Sequence, residues 1–360
     1  MPPITDEVRD RRIARIRPLV SPALLREDLP LLDAAARVVV DGRDATSAIL
    51  TGADDRLLVV VGPCSVHDPR AALDYAARLA EISRTVRDQL LVVMRVYFEK
   101  PRTTLGWKGL INDPLLDGSF DVNRGLRTAR ALLLDVLALG LPVGCEFLDP
   151  ISPQYLADTV SWGSIGARTA QSQVHRQLSS GLSMPIGIKN STEGDVQAAV
   201  DACGAAAASH VFAGITDDGV AAILTTTGNP DCHVILRGGR QATNFDTASV
   251  EGTLELLERA GLPTRVVVDA SHGNSGKDHH RQPLVVADLA QRLAAGERGV
   301  VGVMLESFLV EGAQKLLLGQ SGDLVYGQSV TDSCMSWEST ETVLGTLAEA
   351  VAARVPARAS

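Results

Sequence analysis

The run LLVVVGPC at residues 57–64 is apolar to its last turn and ends on a thiol, and seven further runs follow its pattern. They are LVVMRVYF (91–98), PVGCEFLD (142–149), WGSIGAR (162–168), MPIGIKN (184–190), CHVILRG (232–238), RVVVDASH (265–272) and VVGVMLES (300–307). Strands buried on both faces read as continuous apolar runs, and the connectors here are helix-sized. Behind an Asp68-Pro69 start, Leu73, Ala76, Ala77 and Ala80 give a helical stripe, and Leu126, Ala129, Leu133 and Leu137 nearly repeat it. Eight such units predict a (β/α)8 TIM barrel over residues 57–360, with a doubly wound open sheet as the fallback. The endings decide between them. In order the runs finish near Cys64, Arg95, Glu146, Arg168, Lys189, Arg237, His272 and Glu306. A barrel collects its functional residues at the C-terminal ends of its strands.

Working outward, residues 1–56 read as a polar N-terminal extension with a short strand RIARI at 12–16, serving oligomerisation or regulation. The interval 99–141 opens on a loop rich in Gly, Pro and charge, EKPRTTLGWKGLINDPLLDGSF, long enough to be functional. The interval 191–231 holds a helix pattern and then VFAGI (211–215) and AAILTTT (221–227) around TDDGV, an inserted hairpin at about 210–228.

The 360 residues are 45% hydrophobic and 21% charged, as in a soluble globular protein, so disorder is excluded for the bulk of the chain. No uncharged apolar stretch is long enough for a membrane span, and the N-terminus lacks an apolar signal core, so a cytoplasmic protein is expected. A net charge of −9 argues against a nucleic-acid binder. Five cysteines without a C-x-x-C pair suggest neither a disulfide framework nor a zinc ribbon. Lysine occurs only at 100, 108, 189, 277 and 315, against 29 arginines, which reads either as lysine kept where a compact ammonium is needed or as five surface lysines left by chance.

Arg95, Lys100, Arg102, Arg168, Lys189 and Arg237 all fall at strand ends or just beyond. Taken singly, each arginine reads as a surface ion pair. As a set in one barrel mouth they predict a small polyanionic ligand, held by guanidinium forks and point charges. Cys64, His272, Glu306 and Asp332 offer a thiolate, an imidazole and two carboxylates, a set suited to Mn, Fe, Co or Zn. Alone, Cys64 reads as a buried apolar thiol, but its place in Gly-Pro-Cys-Ser at a strand end weakens that reading. Three look-alikes are declined: His67 in a helix-opening turn, the His279-His280 pair in a solvated loop, and Gly273-Asn-Ser-Gly276-Lys277, whose glycines are too close for a phosphate loop.

The segments GPCSVHDP (62–69), MRVYFEKPRTTLGWKGLINDPLLDGSFDVNRGL (94–126), SPQYLAD (152–158), WGSIGARTAQSQVHR (162–176), IKNSTEGD (188–195), NPDCHVILRGG (229–239), DASHGNSGKD (269–278), GVMLES (302–307) and YGQSVTDSC (326–334) together resemble type I alpha 3-deoxy-D-arabino-heptulosonate 7-phosphate (DAHP) synthases from about residue 8 to the C-terminus. The departures are Ala170 and Gln171, where the family usually reads Thr-Glu. The resemblance implies condensation of phosphoenolpyruvate with erythrose 4-phosphate, the first step of the shikimate pathway. It places the phosphoenolpyruvate phosphate on Arg168, Lys189 and Arg237 beside the Ala167 backbone, and its carboxylate on Arg95 and Lys100. Erythrose 4-phosphate is expected on Arg102 and Thr103, and one divalent metal per subunit on Cys64, His272, Glu306 and Asp332. Lys100 becomes the candidate acid, with Glu146 orienting water and His272 sharing that role.

The resemblance further implies a homodimer or homotetramer with feedback by an aromatic amino acid. Matching positions are Pro153, Gln154, Ser183, Phe212, Gly214 and Leu224, with Asp10 a further candidate for the ligand's amino group. On periodicity alone Phe212 reads better as an ordinary hairpin core residue. Glycine at 214 is the form carried by tyrosine-sensitive members, which points to tyrosine. Two rivals remain: a sister sugar-acid synthase on the same barrel, and a non-catalytic homologue that binds a partner such as chorismate mutase. The Lys100-Pro-Arg-Thr-Thr104 run disfavours the first, and a complete ligand and arginine set disfavours the second.

Overall fold

The computed structural model describes residues 8–102 and 104–354. Ten strands carry its architecture: β1 (Leu57–Gly62), β2 (Leu90–Arg95), β3 (Val143–Glu146), β4 (Trp162–Ile165), β5 (Ile186–Lys189), β6 (Val211–Ile215), β7 (Ala221–Thr225), β8 (His233–Leu236), β9 (Val266–Asp269) and β10 (Val300–Glu306). Eight of them close in the order β1-β10-β9-β8-β5-β4-β3-β2, every neighbour parallel. This is the expected (β/α)8 barrel, and each of the eight apolar runs supplies one strand. β6 and β7 stand outside it as an antiparallel ribbon that pairs Phe212 with Leu224 and Gly214 with Ala222.

Alternation along the strands divides the core in two. Leu58, Val60, Leu91, Val93, Ile235, Val267 and Met304 fill the interior around Trp162. Their neighbours, such as Leu57, Val59 and Val61, pack against the surrounding helices. Trp162 needs space that glycine provides. A Cβ on Gly187 would lie 2.7 Å from its Cζ2, and one on Gly144 would lie 3.0 Å from its Cε3. The indole Nε1 donates to His233 Nε2 at 3.2 Å, while His233 Nδ1 donates to the Asp231 carbonyl at 3.0 Å. Burial pushes this histidine down to about 4, so it sits neutral in the interior.

The N-terminal segment departs from the expected extension. Helix α1 (Pro22–Asp28) and helix α2 (Asp33–Thr51) occupy it, and residues 12–16 form no strand. Ile13 and Ile16 are exposed. α2 ends at Gly52, whose φ of 80° lets its N–H reach back to the Ala48 and Ile49 carbonyls. Ile49 and Leu50, on that last turn, join the interior cluster and plug the barrel opposite its functional mouth.

Helix Pro69–Thr85 begins where predicted, with the Asp68 carboxylate accepting from Arg70 N and Ala71 N. Its buried face runs through Ala72, Tyr75, Ala76 and Leu79, leaving Ala77 exposed, because the large Tyr75 and Leu79 side chains take the core side. Helix Val122–Ala138 buries Leu126, Ala129, Leu133 and Leu137 as its periodicity requires. Among the described residues no helix is long and apolar enough to cross a membrane.

Candidate active site

Arg95, Glu146, Lys189 and Glu306 are the last residues of β2, β3, β5 and β10. Arg237 follows β8 directly, while Cys64, Arg168 and His272 lie two or three residues beyond theirs. All eight endings therefore meet at one mouth. A cavity of about 250 Å³ opens there, lined by Arg95, Lys100, Arg102, Glu146, Ala167, Arg168, Lys189, Arg237, His272 and Asp332. Thr103 lies outside the described residues. A wider groove continues from the cavity past Arg168, Arg237 and His272 to Arg240 and Arg281.

One thiol and two carboxylates converge at the floor. Donor atoms of Cys64, Glu306 and Asp332 lie within 4.8 Å of one another. His272 Nε2 stands 3.7 Å from Glu306 Oε1. Burial and the charge of Glu306 push the Cys64 thiol up. Burial works against the charge of Asp332, yet Lys100, Lys277 and His272 hold its carboxyl well below the ordinary range. A soft donor, a borderline nitrogen and two hard oxygens at this separation fit a divalent transition metal.

Arg95 is 1% exposed and already engaged. Nε donates to the Pro63 carbonyl at 3.2 Å, Nη1 to Met304 Sδ at 3.2 Å, and Nη2 to Glu306 Oε1 at 2.8 Å and the Cys64 carbonyl at 3.1 Å. Its guanidinium carbon stacks 3.8 Å from the Tyr97 ring centroid. One Nη1 hydrogen is left for a ligand. Lys100 Nζ lies 2.7 Å from Cys64 Sγ and 3.6 Å from Asp332 Oδ2. Burial opposes its charge, but Cys64, Asp332 and Glu306 outweigh that and raise its pKa. Arg102 is steadied by Nε donating to the Trp107 carbonyl at 2.8 Å. Glu146 reaches the cavity beneath Gly166, where any Cβ would come within 2.5 Å of its Oε1.

Two residues at this mouth were missed or declined in the sequence. Asp269, the fully buried last residue of β9, lies 3.1 Å from Lys189 Nζ and 2.9 Å from His272 Nδ1. Burial is again overcome, and His272 and Lys189 hold its carboxyl well below the usual range. Lys277 was set aside with the phosphate-loop look-alike. The chain reverses through Gly276 (φ 64°) and Lys277 (φ 65°), which brings Lys277 Nζ to 3.4 Å from Asp332 Oδ1. The declined His67 lines a separate cavity, and His279 and His280 stack on each other away from the mouth.

A second cavity of about 440 Å³ lies beside the β6–β7 ribbon. Pro153, Gln154, Ser183, Phe212 and Leu224 line it. Gly214 does not, but a Cβ there would stand 2.5 Å from Leu224 Cδ1. Asp10 is exposed, pairs with Arg9 at 3.5 Å, and is not among the residues lining this cavity in its own chain.

The family model for the DAHP synthetase I family matches residues 36–345. The chain belongs to the DAHP synthetase I family. The Phe-sensitive phospho-2-dehydro-3-deoxyheptonate aldolase of Escherichia coli K12 is 54% identical over 345 residues, covering 96% of this chain and 98% of the relative. A tyrosine-inhibited phospho-2-dehydro-3-deoxyheptonate aldolase of Schizosaccharomyces pombe is 49% identical over 351 residues, covering 97% and 94%. A solved phospho-2-dehydro-3-deoxyheptonate aldolase structure from Francisella tularensis SCHU S4 superimposes with a TM-score of 0.93 at 49% identity, covering 96% of this chain and all of that one. The chain is thus an enzyme of the DAHP synthetase I family. Since differently inhibited members match it alike, membership leaves the effector open.

Proposed function

We propose that this chain condenses phosphoenolpyruvate with D-erythrose 4-phosphate and water, giving 3-deoxy-D-arabino-heptulosonate 7-phosphate and inorganic phosphate. It would do so as a cytoplasmic homodimer or homotetramer at the head of aromatic amino acid biosynthesis. The observation that carries the reading is one cavity lined by seven cations, Arg95, Lys100, Arg102, Arg168, Lys189, Arg237 and Lys277, together with Asp332 of the Cys64–Glu306–Asp332 cluster. Two phosphorylated substrates, one with a carboxylate, need such a surplus of positive charge.

In this reading Arg168, Lys189 and Arg237 bind the phosphoenolpyruvate phosphate beside the Ala167 backbone, and the remaining Arg95 hydrogen and Lys100 face its carboxylate. Arg102 and Thr103 hold the erythrose phosphate. C3 of the enol phosphate attacks the aldehyde carbon, and positive charge develops at C2. Lys100 Nζ holds the proton that the new alkoxide takes. Water oriented by Glu146, with His272 as a second polar group nearby, adds to C2, and phosphate leaves by C–O cleavage. A divalent ion held by Cys64, His272, Glu306 and Asp332 would supply Lewis acidity toward the aldehyde oxygen. The ribbon-side cavity is assigned to feedback by tyrosine, on the strength of the glycine at 214 and of the five lining residues matched above.

The discriminating experiment offers the enzyme phosphoenolpyruvate with either erythrose 4-phosphate or arabinose 5-phosphate and follows phosphate release. Turnover selective for the four-carbon aldose supports the proposal. Preference for arabinose 5-phosphate would reassign the chain to the sister synthases, and no turnover of either by metal-loaded protein would reduce it to a binding homologue.

A further inference from the structure

We propose that Asp269 is a positioning residue that couples the metal site to the phosphate site. Its single Oδ2 atom faces both the Lys189 ammonium, at 3.1 Å, and His272 Nδ1, at 2.9 Å. The inference rests on the assignment of His272 to the metal and Lys189 to the phosphoenolpyruvate phosphate. The direction of the imidazole proton follows from the hydrogen bonds around it. Ser271 Oγ donates to Asp269 Oδ1 and lies 2.8 Å from His272 Nδ1, so that hydroxyl oxygen is an acceptor toward the ring. The hydroxyl, already spent as donor, therefore requires a proton on Nδ1, and Asp269 Oδ2, which accepts no hydrogen bond among the described residues, favours that proton through its charge. Nε2 is left with its lone pair directed toward Glu306, the tautomer a metal ligand needs.

The arrangement is rigidly built. Asp269 is fully buried, Ser271 N donates to its Oδ1 at 3.0 Å, and Asn274 Nδ2 donates to its carbonyl at 2.9 Å. His272 is held at φ 53°, a costly left-handed conformation for a side chain of this size. A cation on Nε2 would add positive charge to the ring and strengthen its attraction for Asp269 Oδ2, 2.9 Å from Nδ1. Lys189 is then held less tightly by Oδ2 and is freer to meet a phosphate. Metal and phosphoenolpyruvate should each tighten the other's binding, since such coupling is reciprocal.

The test measures free Mn2+ by electron paramagnetic resonance in titrations of the metal-depleted full chain, with and without phosphoenolpyruvate. The wild type, Asp269→Asn and Lys189→Met are compared. In the wild type phosphoenolpyruvate should tighten Mn2+ by about fivefold or more. Asp269→Asn should bind Mn2+ roughly 10–100-fold more weakly and show no response to phosphoenolpyruvate. Lys189→Met, in which nothing competes with the ring for Oδ2, should bind Mn2+ as tightly as the wild type does with phosphoenolpyruvate, and lose the response. Wild-type affinity in Asp269→Asn, or an undiminished response there, would overturn the proposal. Failure of the wild type to bind Mn2+, or undiminished phosphoenolpyruvate binding by Lys189→Met, would overturn it together with the site assignment beneath it. A readout that needs no variant is the nitrogen NMR spectrum of His272 in the metal-free wild type. The Nδ1–H tautomer is expected, and a predominant Nε2–H form would refute the coupling route.

Discussion

Lys100 Nζ and Cys64 Sγ, 36 positions apart in the chain, meet at 2.7 Å in the floor of the barrel mouth. The contact joins the two chemistries of the site. Cys64 belongs to the cluster suited to a metal, and Lys100 begins the run of cations suited to phosphates and a carboxylate. Because the same ammonium also faces Asp332 at 3.6 Å, it shares two of its partners with any cation bound there. The reacting carbonyl would then lie between a proton donor and a Lewis acid, as an aldol-like addition requires.

Cys64→Ala should abolish both metal retention and turnover while leaving the barrel folded. The thiol is buried at a strand end, so its loss removes a donor and one side chain's packing, not the fold. Metal content after gel filtration and far-ultraviolet circular dichroism check the two halves. Full activity of this variant after chelation would remove the metal from the account.

Arg102→Ala should chiefly raise the KM for erythrose 4-phosphate, and Arg237→Ala that for phosphoenolpyruvate. Loss of one charge-assisted contact costs about 1.5–3 kcal/mol, or roughly 10–150-fold. Steady-state kinetics with each substrate varied in turn makes the comparison. If both variants weakened the same substrate and spared the other, the division of the two phosphate sites would be wrong.

Gly214→Ser should shift inhibition from tyrosine toward phenylalanine. The added Cβ would meet Leu224 Cδ1 at 2.5 Å, so the leucine must turn, and its side chain is part of the cavity wall. A steric change of that size supports selectivity of about 1–3 kcal/mol. Inhibition titrations with tyrosine, phenylalanine and tryptophan on both proteins read the shift. Stronger inhibition of the wild type by phenylalanine than by tyrosine, or an unchanged preference in the variant, contradicts the assignment.

His233 gives the barrel interior an acid-sensitive element. Burial lowers its pKa from 6.5 to about 4, so between these values the unfolded chain binds a proton that the folded chain refuses. Its contribution is intact above pH 6.5 and is lost as pH falls through 4, up to about 3 kcal/mol in all. His233→Gln, which keeps an acceptor for Trp162 and a donor for Asp231, should flatten that part of the profile. Denaturant unfolding at pH 7 and pH 4.5 compares the two, and equal losses of stability would show that other groups set the acid limit.

The barrel was legible because its strands are buried on both faces and each has a polar or metal-capable group at its end, as Arg95 and Glu306 are, or within three residues beyond it, as Cys64 and Arg168 are. Asp269 escaped notice because it sits inside RVVVDASH, where one acid among valines gives no hint of facing both Lys189 and His272. Lys277 failed a spacing rule for phosphate loops, but a left-handed reversal, not such a loop, delivers it to Asp332. The plug at the barrel floor was hidden for another reason. Ile49 and Leu50 end a helix in which Ala and Val alternate with charged residues, and nothing in that mixture singles out its last turn as the one that enters the barrel.

The most direct test of the central claim is turnover by metal-depleted enzyme supplied with both phosphoenolpyruvate and erythrose 4-phosphate. Phosphate release should be absent after chelation, return on adding Mn2+ or another divalent transition ion, and require both substrates together. Undiminished turnover in protein shown to be free of metal, or phosphate release from phosphoenolpyruvate without the aldose, would contradict the account.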